Sequence, residues 1–536
     1  MLSKKIRKII CGVITSIILC SSTTVLATGL EEVSTSITGT YDIVVEGFDW
    51  GPGVTKAIIT IDREVSNVTK EMFKVEEVKQ SMFDTDKLDI TNRTITNAYL
   101  CDENGNELEG SSNKIALELS VHPDFGNPFL FSLQTFTNSW AEPYELNITL
   151  ADGEELVVGE EVFKELNINK EFINRMTPTV DAFKEATYEN EGDISMSYAY
   201  YEPQEDNKKN PLIIWLHGAG EGGYDTQIIT LGNKVGALIE DNIQSEFGGA
   251  YVLAPQSPTM WMDQGGKQYT QDGSSIYSES LMNLIKHYVN TNNDIDTNRI
   301  YVGGCSNGGF MTMSLILDNP EYFAAAYPIC EAYNDSWISE EELEGIKGLP
   351  IWFTYAMNDG TVDPETTSIS TISRLIDYGA KDIKVSKFDN VVDTSGLYKD
   401  SEGNPYEYNG HWSWLYAFND ECKDGEESLW SWLAKQEKEI KVDEPVEKPS
   451  DEPEDEENDK LEEEKPSIPV APEEDRGDVI VDETNKEDNI TDKDDSTETG
   501  KGELPNTGSP ISSVTVAIMG SLSTAAGFKM IRRKKK

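Results

Sequence analysis

Histidine, cysteine and positive charge are all scarce in this sequence, and each scarcity limits what the chain can be. The 536 residues include only 4 histidines and 6 cysteines, and 45 Lys and Arg stand against 97 Asp and Glu, giving a net charge of -52. A nucleic-acid partner is excluded, because a phosphate backbone needs a basic protein face. A catalytic or metal-binding imidazole must therefore come from one of these four histidines.

The cysteines do not form the dense framework of a disulfide-stapled domain. Two of them, Cys11 and Cys20, fall in an N-terminal leader-like segment, and the others are scattered along the chain: Cys101, Cys305, Cys330 and Cys422. An exported protein could form one bridge in its C-terminal domain, but the sequence does not say which.

The N-terminus has the three parts of a signal peptide. A basic segment, Lys4 to Lys8, precedes an apolar run, Ile9 to Leu19, that is too short to span a bilayer comfortably. Val25-Leu26-Ala27 then offers small residues for cleavage. We predict export, with residues 1–27 removed and residues 28–38 forming a linker. A lipoprotein attached at Cys20 is the weaker alternative, because the preceding leucine is larger than a lipobox prefers.

The C-terminus carries a second targeting pattern. Leu504-Pro505-Asn506-Thr507-Gly508 is followed by an apolar segment, residues 511–530, and a basic tail, residues 531–536. An apolar segment of this length with terminal charges stops in the bilayer and holds the pentapeptide at the outer face. Residues 504–536 resemble a sortase signal of the LPxTG type. The resemblance implies cleavage between Thr507 and Gly508, transfer of Thr507 to peptidoglycan by sortase, and a Gram-positive cell-surface location. A plain membrane anchor is the alternative.

Residues 438–503 explain much of the negative charge. This segment consists largely of Glu, Asp, Lys, Pro, Ser and Thr, with almost no aromatic residues, so it cannot bury a core. We predict a disordered, self-repelling spacer that carries the folded domains across the cell wall. A metal-binding or partner-binding tail is the alternative, although the acidic residues show no repeated ligand spacing.

Residues 39–170 have the pattern of an all-β domain. Apolar residues alternate or come in short runs, with Gly, Asn and Asp between them, and no helical period is convincing. The runs are Tyr41–Val45, Ala57–Ile61, Lys114–Leu119, Phe129–Leu133 and Tyr144–Leu150. This pattern predicts an immunoglobulin-like β-sandwich without a catalytic cluster.

Residues 171–437 show apolar strands alternating with helical segments. The strands are predicted at Leu212–Leu216, Ala250–Leu253, Ile300–Val302, Ala324–Tyr327, Ile351–Tyr355 and Ile383–Phe388. The helices are predicted at Ile276–Val289, Gly309–Leu317 and Thr366–Tyr378. Near-continuous apolar strands between helices predict an α/β domain, with a mostly parallel sheet covered by helices on both faces.

A serine lies at the junction of one such strand and helix. Gly304-Cys305-Ser306-Asn307-Gly308 follows the strand ending at Val302 and precedes the helix beginning near Gly309. This is the context of a G-x-S-x-G nucleophile elbow, in which a strained turn lifts the serine hydroxyl above an α/β-hydrolase sheet. Ser306 is therefore the predicted nucleophile.

A serine hydroxyl needs a base, and a base needs an orienting acid. His411 follows the last predicted strand, where the chain order of Ser, acid and His puts the base. His122 lies in the predicted β domain, and His287 is interpreted as a surface residue of the helix before the elbow. His217 follows a strand and is interpreted as structural. Asp359 follows the strand Ile351–Tyr355 and is the predicted acid, whereas Asp363 is expected to start the next helix.

The oxyanion donors are predicted from a glycine-rich loop and from the elbow. His217-Gly218-Ala219-Gly220 follows a strand and resembles the HGGG-type loop of esterases. The backbone N–H groups of Ala219 and Asn307 are the expected donors. A simple tight turn is the alternative for the glycines.

Five motifs together resemble two-domain bacterial carboxylesterases, in which an immunoglobulin-like domain precedes an α/β-hydrolase domain related to polyhydroxybutyrate depolymerases and feruloyl esterases. The matching motifs are Phe48-Asp49-Trp50-Gly51-Pro52, Leu216-His217-Gly218-Ala219-Gly220-Glu221, Ala254-Pro255-Gln256, Gly304-Cys305-Ser306-Asn307-Gly308 and Gly410-His411-Trp412.

This resemblance implies hydrolysis of short-chain or aryl carboxylic esters, some of them on polysaccharides, through an acyl-enzyme and without a metal or organic cofactor. Two alternatives stay open from the sequence. One is a serine peptidase of the prolyl-oligopeptidase type, which shares the elbow and the triad. The other is an inert surface adhesin or glycan-binding protein that keeps the hydrolase fold.

Overall fold

The computed structural model describes residues 36–438, except for residues 83, 85, 133, 134, 136 and 267. The predicted signal peptide, the sorting signal and the spacer beyond Lys438 lie outside the described residues. In the described part of the chain, no helix is long and apolar enough to cross a membrane. The predicted membrane segment at residues 511–530 falls outside that part.

The first domain is an immunoglobulin-like β-sandwich, as the sequence predicts. Its strands are β1 (Ser36–Phe48), β2 (Gly51–Val65), β3 (Phe73–Gln80), β4 (Leu88–Arg93), β5 (Ile95–Leu100), β6 (Ser112–Leu119), β7 (Phe129–Phe131), β8 (Asn138–Trp140), β9 (Tyr144–Leu150), β10 (Leu156–Val158), β11 (Glu161–Phe163), β12 (Glu165–Ile168) and β13 (Arg175–Met176). One sheet has the order β12-β1-β2-β6-β5, with β13 also paired to β1, and the other has the order β4-β3-β9. A short hairpin, β7–β8, carries Asn138 and Trp140 toward the second domain.

Alternating side chains form the core of the sandwich. Tyr41, Ile43 and Val45 of β1 pack with Ile59 of the neighbouring strand β2 and Leu146 of β9 in the facing sheet, all in one buried cluster. The strand period of two sends every second residue to this cluster, which is why the apolar residues alternate in the sequence.

The second domain is built on one eight-stranded sheet. Its strands are β14 (Lys184–Tyr188), β15 (Met196–Tyr201), β16 (Asn210–Leu216), β17 (Tyr251–Gln256), β18 (Ile295–Cys305), β19 (Ala325–Ile329), β20 (Ile351–Ala356) and β21 (Ile383–Phe388), and a hairpin of β22 (Lys423–Asp424) and β23 (Glu427–Ser428) follows. The sheet order is β14-β15-β17-β16-β18-β19-β20-β21. Strands β14, β15 and β17 pair antiparallel, and the pairs from β17 to β21 are parallel.

Helices cover both faces of this sheet. They are α1 (Thr226–Gly232), α2 (Asp241–Phe247), α3 (Ser278–Thr291), α4 (Asn307–Asp318), α5 (Glu340–Ile346), α6 (Ser368–Asp377), α7 (Trp414–Phe418) and α8 (Leu429–Leu433). In the central strand β16, Ile214 packs into the cluster under α3 to α6, and Trp215 packs into the cluster under α2, α7 and α8. Burial on both faces explains the near-continuous apolar strands. The predicted fold class, an α/β-hydrolase-type domain after an immunoglobulin-like sandwich, is confirmed.

Candidate active site

Ser306 occupies a strained turn between β18 and α4. Its backbone has φ 57° and ψ -114°, a conformation that a residue with a side chain rarely adopts. The strand ends at Cys305, one residue before Ser306, and the helix begins at Asn307, one residue after it. This turn is held in place because the Ser306 N–H donates to the carbonyl of Ile329 on the neighbouring strand, at 2.9 Å. Strain of this kind persists only where the surrounding structure enforces it.

The two glycines of the elbow motif are required by close backbone approach. A Cβ on Gly304 would lie 2.3 Å from the carbonyl oxygen of Leu216, and a Cβ on Gly308 would lie 1.9 Å from the same oxygen. Neither distance is possible for a real side chain. The motif therefore allows α4 to begin directly against the end of β16, where the carbonyl oxygen of His217 would also lie only 2.6 Å from a Cβ on Gly308.

Ser306, His411 and Asp359 form a continuous hydrogen-bonded chain. The Ser306 hydroxyl donates to His411 Nε2 at 2.8 Å, and His411 Nδ1–H donates to Asp359 Oδ2 at 2.7 Å. This assignment of the imidazole proton follows from the carboxylate, which can only accept. The side chains of His411 and Asp359 are 1% and 2% exposed, so the pair is shielded from water. The structure thus brings together the three residues that the sequence singles out.

Each partner is oriented by its own loop. Asp359 Oδ1 accepts from the N–H groups of Thr361 at 2.8 Å and Val362 at 2.9 Å, which leaves Oδ2 free for the imidazole. The His411 N–H donates to Asn409 Oδ1 at 2.9 Å. Both loops follow carboxyl ends of parallel strands, where ligand sites form in open α/β sheets.

Asp363, the other aspartate of this loop, has a different position. Its Oδ1 accepts from the N–H of Glu365 at 3.0 Å, and its carbonyl accepts from the hydroxyls of Thr366 and Thr367. Asp363 therefore stabilises a turn before α6, which itself begins at Ser368. The sequence places the start of this helix two residues too early, at Thr366.

The predicted oxyanion donors lie at the first residues of two helical segments. Asn307 is the first residue of α4, and Ala219 is the first residue of a single 3₁₀ turn, Ala219–Glu221. The first N–H groups of a helix have no partner within it, so both are suited to receive an anionic oxygen.

His217 fixes the loop before Ala219 and does not contact the triad residues. Its Nε2 accepts from the N–H of Ser257 at 3.0 Å, so Nδ1 carries the proton and donates to the carbonyl of Gly218 at 2.6 Å. Burial lowers the pKa of this imidazole to about 4, which keeps it neutral. The structural interpretation of His217 agrees with these contacts.

Sequence analysis missed two buried carboxyl groups beside the site. Glu221 is 6% exposed and belongs to the turn of Ala219, and Glu331 is 1% exposed and follows Cys330 after β19. Burial raises the pKa of Glu221 to about 7 and that of Glu331 to about 8. Glutamate in a glycine-rich loop directly after a buried strand is the one sequence signal that could have indicated Glu221.

The four described cysteines are all buried free thiols. Burial raises the pKa of each thiol, to about 11 for Cys101 and to about 12 for Cys422, and well above the ordinary range for Cys305 and Cys330. The single bridge that an exported location would allow is not formed among them. In residues 36–438, as far as they are described, no group of three or more His, Cys, Asp or Glu side chains is arranged to hold a metal ion.

The fold and the Ser–His–Asp arrangement define the class of protein as the serine hydrolases with an α/β-hydrolase fold. Two family models match the sequence: an esterase immunoglobulin-like N-terminal domain at residues 40–155, and the prolyl oligopeptidase family at residues 260–344. The chain is accordingly a serine hydrolase of the esterase type. A search of curated proteins finds no match.

This chain is similar to several solved structures. A crystal structure of a thermostable esterase has a TM-score of 0.58 and 24% identity, over 74% of this chain and 99% of that chain. A ferulic acid esterase has a TM-score of 0.31 and 12% identity, over 39% of this chain and 90% of that chain. Pyrococcus horikoshii acylaminoacyl peptidase has a TM-score of 0.31 and 16% identity, over 63% of this chain and 50% of that chain.

Proposed function

We propose that this protein hydrolyses carboxylic esters through an acyl-enzyme, with Ser306 as nucleophile, His411 as general base and Asp359 as orienting acid. The observation that carries the proposal is the hydrogen-bonded chain of 2.8 Å and 2.7 Å that links these three side chains at a strained elbow. A serine that serves only packing has no need of a backbone conformation with φ 57°.

The proposed reaction follows from this arrangement. The Ser306 hydroxyl attacks the ester carbonyl while its proton moves to His411 Nε2, and Asp359 stabilises the resulting imidazolium. The N–H groups of Ala219 and Asn307 donate to the oxyanion of the tetrahedral intermediate. His411 then protonates the leaving alcohol. A water molecule activated by the same imidazole releases the acid from Ser306.

Esters of short-chain or aryl acids, including esters on polysaccharides, are the proposed substrates. The match of residues 40–155 to a domain model of esterases supports ester rather than peptide bonds. The fold and the triad geometry are compatible with both bond types, so the substrate class rests on that first domain and on the sequence resemblance.

The test compares ester and peptide substrates with three variants of the purified protein. The wild type should cleave p-nitrophenyl acetate or butyrate, and Ser306→Ala should abolish this activity. Asp359→Asn should lower kcat by about 10³–10⁴-fold, because the imidazole loses its orienting partner. Asp363→Asn is the matched control in the same loop and should keep wild-type kcat.

Three results would contradict this assignment. Cleavage of peptide substrates alone would favour the peptidase. Failure of a fluorophosphonate probe to label Ser306 would favour an inert adhesin. A larger loss of kcat in Asp363→Asn than in Asp359→Asn would show that Asp359 is not the orienting acid.

We propose also that the protein is exported and attached to peptidoglycan through Thr507. The order of pentapeptide, apolar segment and basic tail in residues 504–536 supports this location. Muramidase treatment of the producing cells should release the wild-type protein linked to wall fragments. Thr507→Ala should shift it to the membrane fraction or the medium, whereas Ser509→Ala, beyond the cleavage point, should not. Wall attachment of Thr507→Ala would overturn the proposal.

A further inference from the structure

A buried carboxyl group supports the turn that carries Ala219. Glu221 ends this turn, and its Oε2 lies so close to Gly218 that a Cβ there would be only 2.9 Å away. The N–H groups of Gly218 and Glu221 face the carboxyl and favour its charged form. The side chain of Glu221 therefore packs on the residue that immediately precedes Ala219.

The first domain reaches this carboxyl through Asn138 of β8. Asn138 Nδ2 donates to Glu221 Oε1 at 3.1 Å. The same amide nitrogen would lie 2.9 Å from a Cβ on Gly220, so Asn138 contacts the turn itself as well as its carboxyl. A residue of the sandwich thus lies directly against the segment that offers an oxyanion donor.

Other contacts hold the two ends of the segment from within the second domain. His217 fixes the start, through its bonds to Ser257 and Gly218, and Gln256 Nε2 donates to the backbone carbonyl of Glu221 at 2.8 Å. The first domain thus contacts the turn at Gly220 and holds it through the hydrogen bond to the Glu221 carboxyl.

We propose that Asn138 and Glu221 are positioning residues for ester hydrolysis. Asn138 fixes the Glu221 carboxylate, and the carboxylate fixes the turn so that the Ala219 N–H points at the developing oxyanion. This inference rests on the esterase function proposed above. A displaced donor stabilises the tetrahedral intermediate less, while the uncharged ester binds as before, so kcat should fall and KM should not.

The charge state of Glu221 gives a second readout. Its pKa of about 7 results from burial, opposed by the surrounding N–H donors. The charge of Glu221 acts on the neighbouring thiol of Cys305, whose pKa is raised well above the ordinary range, mainly by burial, so that the thiol stays neutral. A protonated Glu221 would direct an O–H toward groups that are themselves donors, so the turn is held best when the carboxyl is ionised.

The experiment uses the full chain and p-nitrophenyl butyrate. Asn138→Ala should lower kcat by about tenfold, as expected when a donor is displaced rather than removed, with KM changed less than about twofold. Trp140→Phe is the matched control. It removes a different bond from the same strand to the second domain, from Trp140 Nε1 to Asp225 Oδ2 at 2.8 Å, and it should keep wild-type kcat.

A pH profile of kcat tests the carboxyl. The wild type should show an ionisation near pH 7 that Glu221→Gln lacks. Identical profiles for wild type and Glu221→Gln would overturn the role of Glu221.

Two further results would overturn the inference. One is a wild-type kcat in Asn138→Ala. The other is a loss of kcat in Trp140→Phe as large as that in Asn138→Ala, which would reflect a general loosening of the contact between the domains. Failure of the proposed function is distinguishable, because it would appear as a wild type without esterase activity and without fluorophosphonate labelling at Ser306.

Discussion

Glu331 is an acidic side chain enclosed in the core beside α4. Its Oε2 accepts from the Tyr333 N–H at 2.7 Å, and its Oε1 accepts from the Ser368 hydroxyl at 3.0 Å. Burial raises its pKa from an ordinary 4.5 to about 8, against the effect of these two bonds. The folded protein therefore keeps a proton on Glu331 at pH 7, and the unfolded chain does not.

This difference in the protonation of Glu331 predicts that the free energy of unfolding depends on pH. Glu331 contributes fully to the free energy of unfolding below pH 4.5. This contribution is lost as the pH rises toward about 8, because between these pH values only the unfolded chain ionises. Glu331→Gln keeps the shape and can still accept from the Tyr333 N–H, while its NH2 group can donate to the Ser368 hydroxyl, but it cannot ionise. Relative to wild type, its free energy of unfolding should increase by about 3 kcal/mol between pH 5 and pH 8, measured by urea denaturation.

An exposed residue provides the control for this measurement. Glu341 is exposed on α5, so the free energy of unfolding of Glu341→Gln should differ from that of wild type by the same small amount at both pH values. If the free energies of unfolding of Glu331→Gln and wild type differ by the same amount at pH 5 and at pH 8, Glu331 is not protonated in the folded protein.

At the residue scale, the sequence predicts the side chains of the proposed triad better than their surroundings. Ser306, His411 and Asp359 are found from a motif, a chain order and the scarcity of histidine. The burial of Glu331 and Glu221 depends on segments distant in the chain, such as Ser368 and Asn138. A carboxyl group in a sequence is usually on the surface, so no local pattern distinguishes Glu331, and only the glycine-rich loop after a buried strand could have indicated Glu221.

At the scale of elements, the junction of β16, β18 and α4 positions Ser306, the proposed nucleophile. The carbonyl oxygen of Leu216 would lie 1.9 Å from a Cβ on Gly308, and the Leu216 carbonyl carbon 2.4 Å from it. Gly308→Ala must therefore push the start of α4 away from the end of β16. We expect kcat/KM to fall by at least about 10²-fold and the free energy of unfolding by about 1–3 kcal/mol.

Gly360→Ala is the matched control for the elbow. Gly360 is exposed beside Asp359, and a Cβ there would meet no atom within 4 Å. Its kcat/KM and its urea midpoint should stay at wild-type values. Wild-type activity in Gly308→Ala would show that the elbow can relax without displacing Ser306.

The central strands were easier to predict than the antiparallel strands β14 and β15 at one edge of the sheet. The central strands β16 to β20 appear in the sequence as apolar runs, because both of their faces are covered. The edge strand β14, Lys184–Tyr188, is mostly exposed and has no such run, so the antiparallel hairpin β14–β15 was not predicted. The backbone N–H and C=O groups of β14 form hydrogen bonds with β15, and this pairing does not require apolar side chains.

At the scale of the whole molecule, the two domains share their cores. Trp50, from the hairpin between β1 and β2, is 5% exposed and packs in the same cluster as α7 and α8 of the second domain. In the other direction, Leu231 of α1 packs in the core cluster of the sandwich. Beside Trp50, Asp49 accepts from Lys234 Nζ at 2.9 Å and from Asn419 Nδ2 at 3.1 Å. These pairings join distant segments and could not be predicted from local patterns.

Shared cores predict that the domains unfold together. Calorimetry of the wild type should show one transition for residues 36–438, since neither domain buries its apolar surface alone. Trp50→Ala should lower the free energy of unfolding by about 3–5 kcal/mol, because a large buried side chain is removed from the contact between domains.

The decisive comparison uses an apolar residue of the first domain that lies outside this contact. Ile173 is 58% exposed, so Ile173→Ala should change stability by less than about 0.5 kcal/mol. Two separate transitions in the wild type, or a Trp50→Ala variant as stable as Ile173→Ala, would show that the sandwich is a separately folding attachment. A single transition lowered by Trp50→Ala would instead mean that the sandwich stabilises the domain that carries Ser306, which would explain why its residues reach as far as the turn of Ala219.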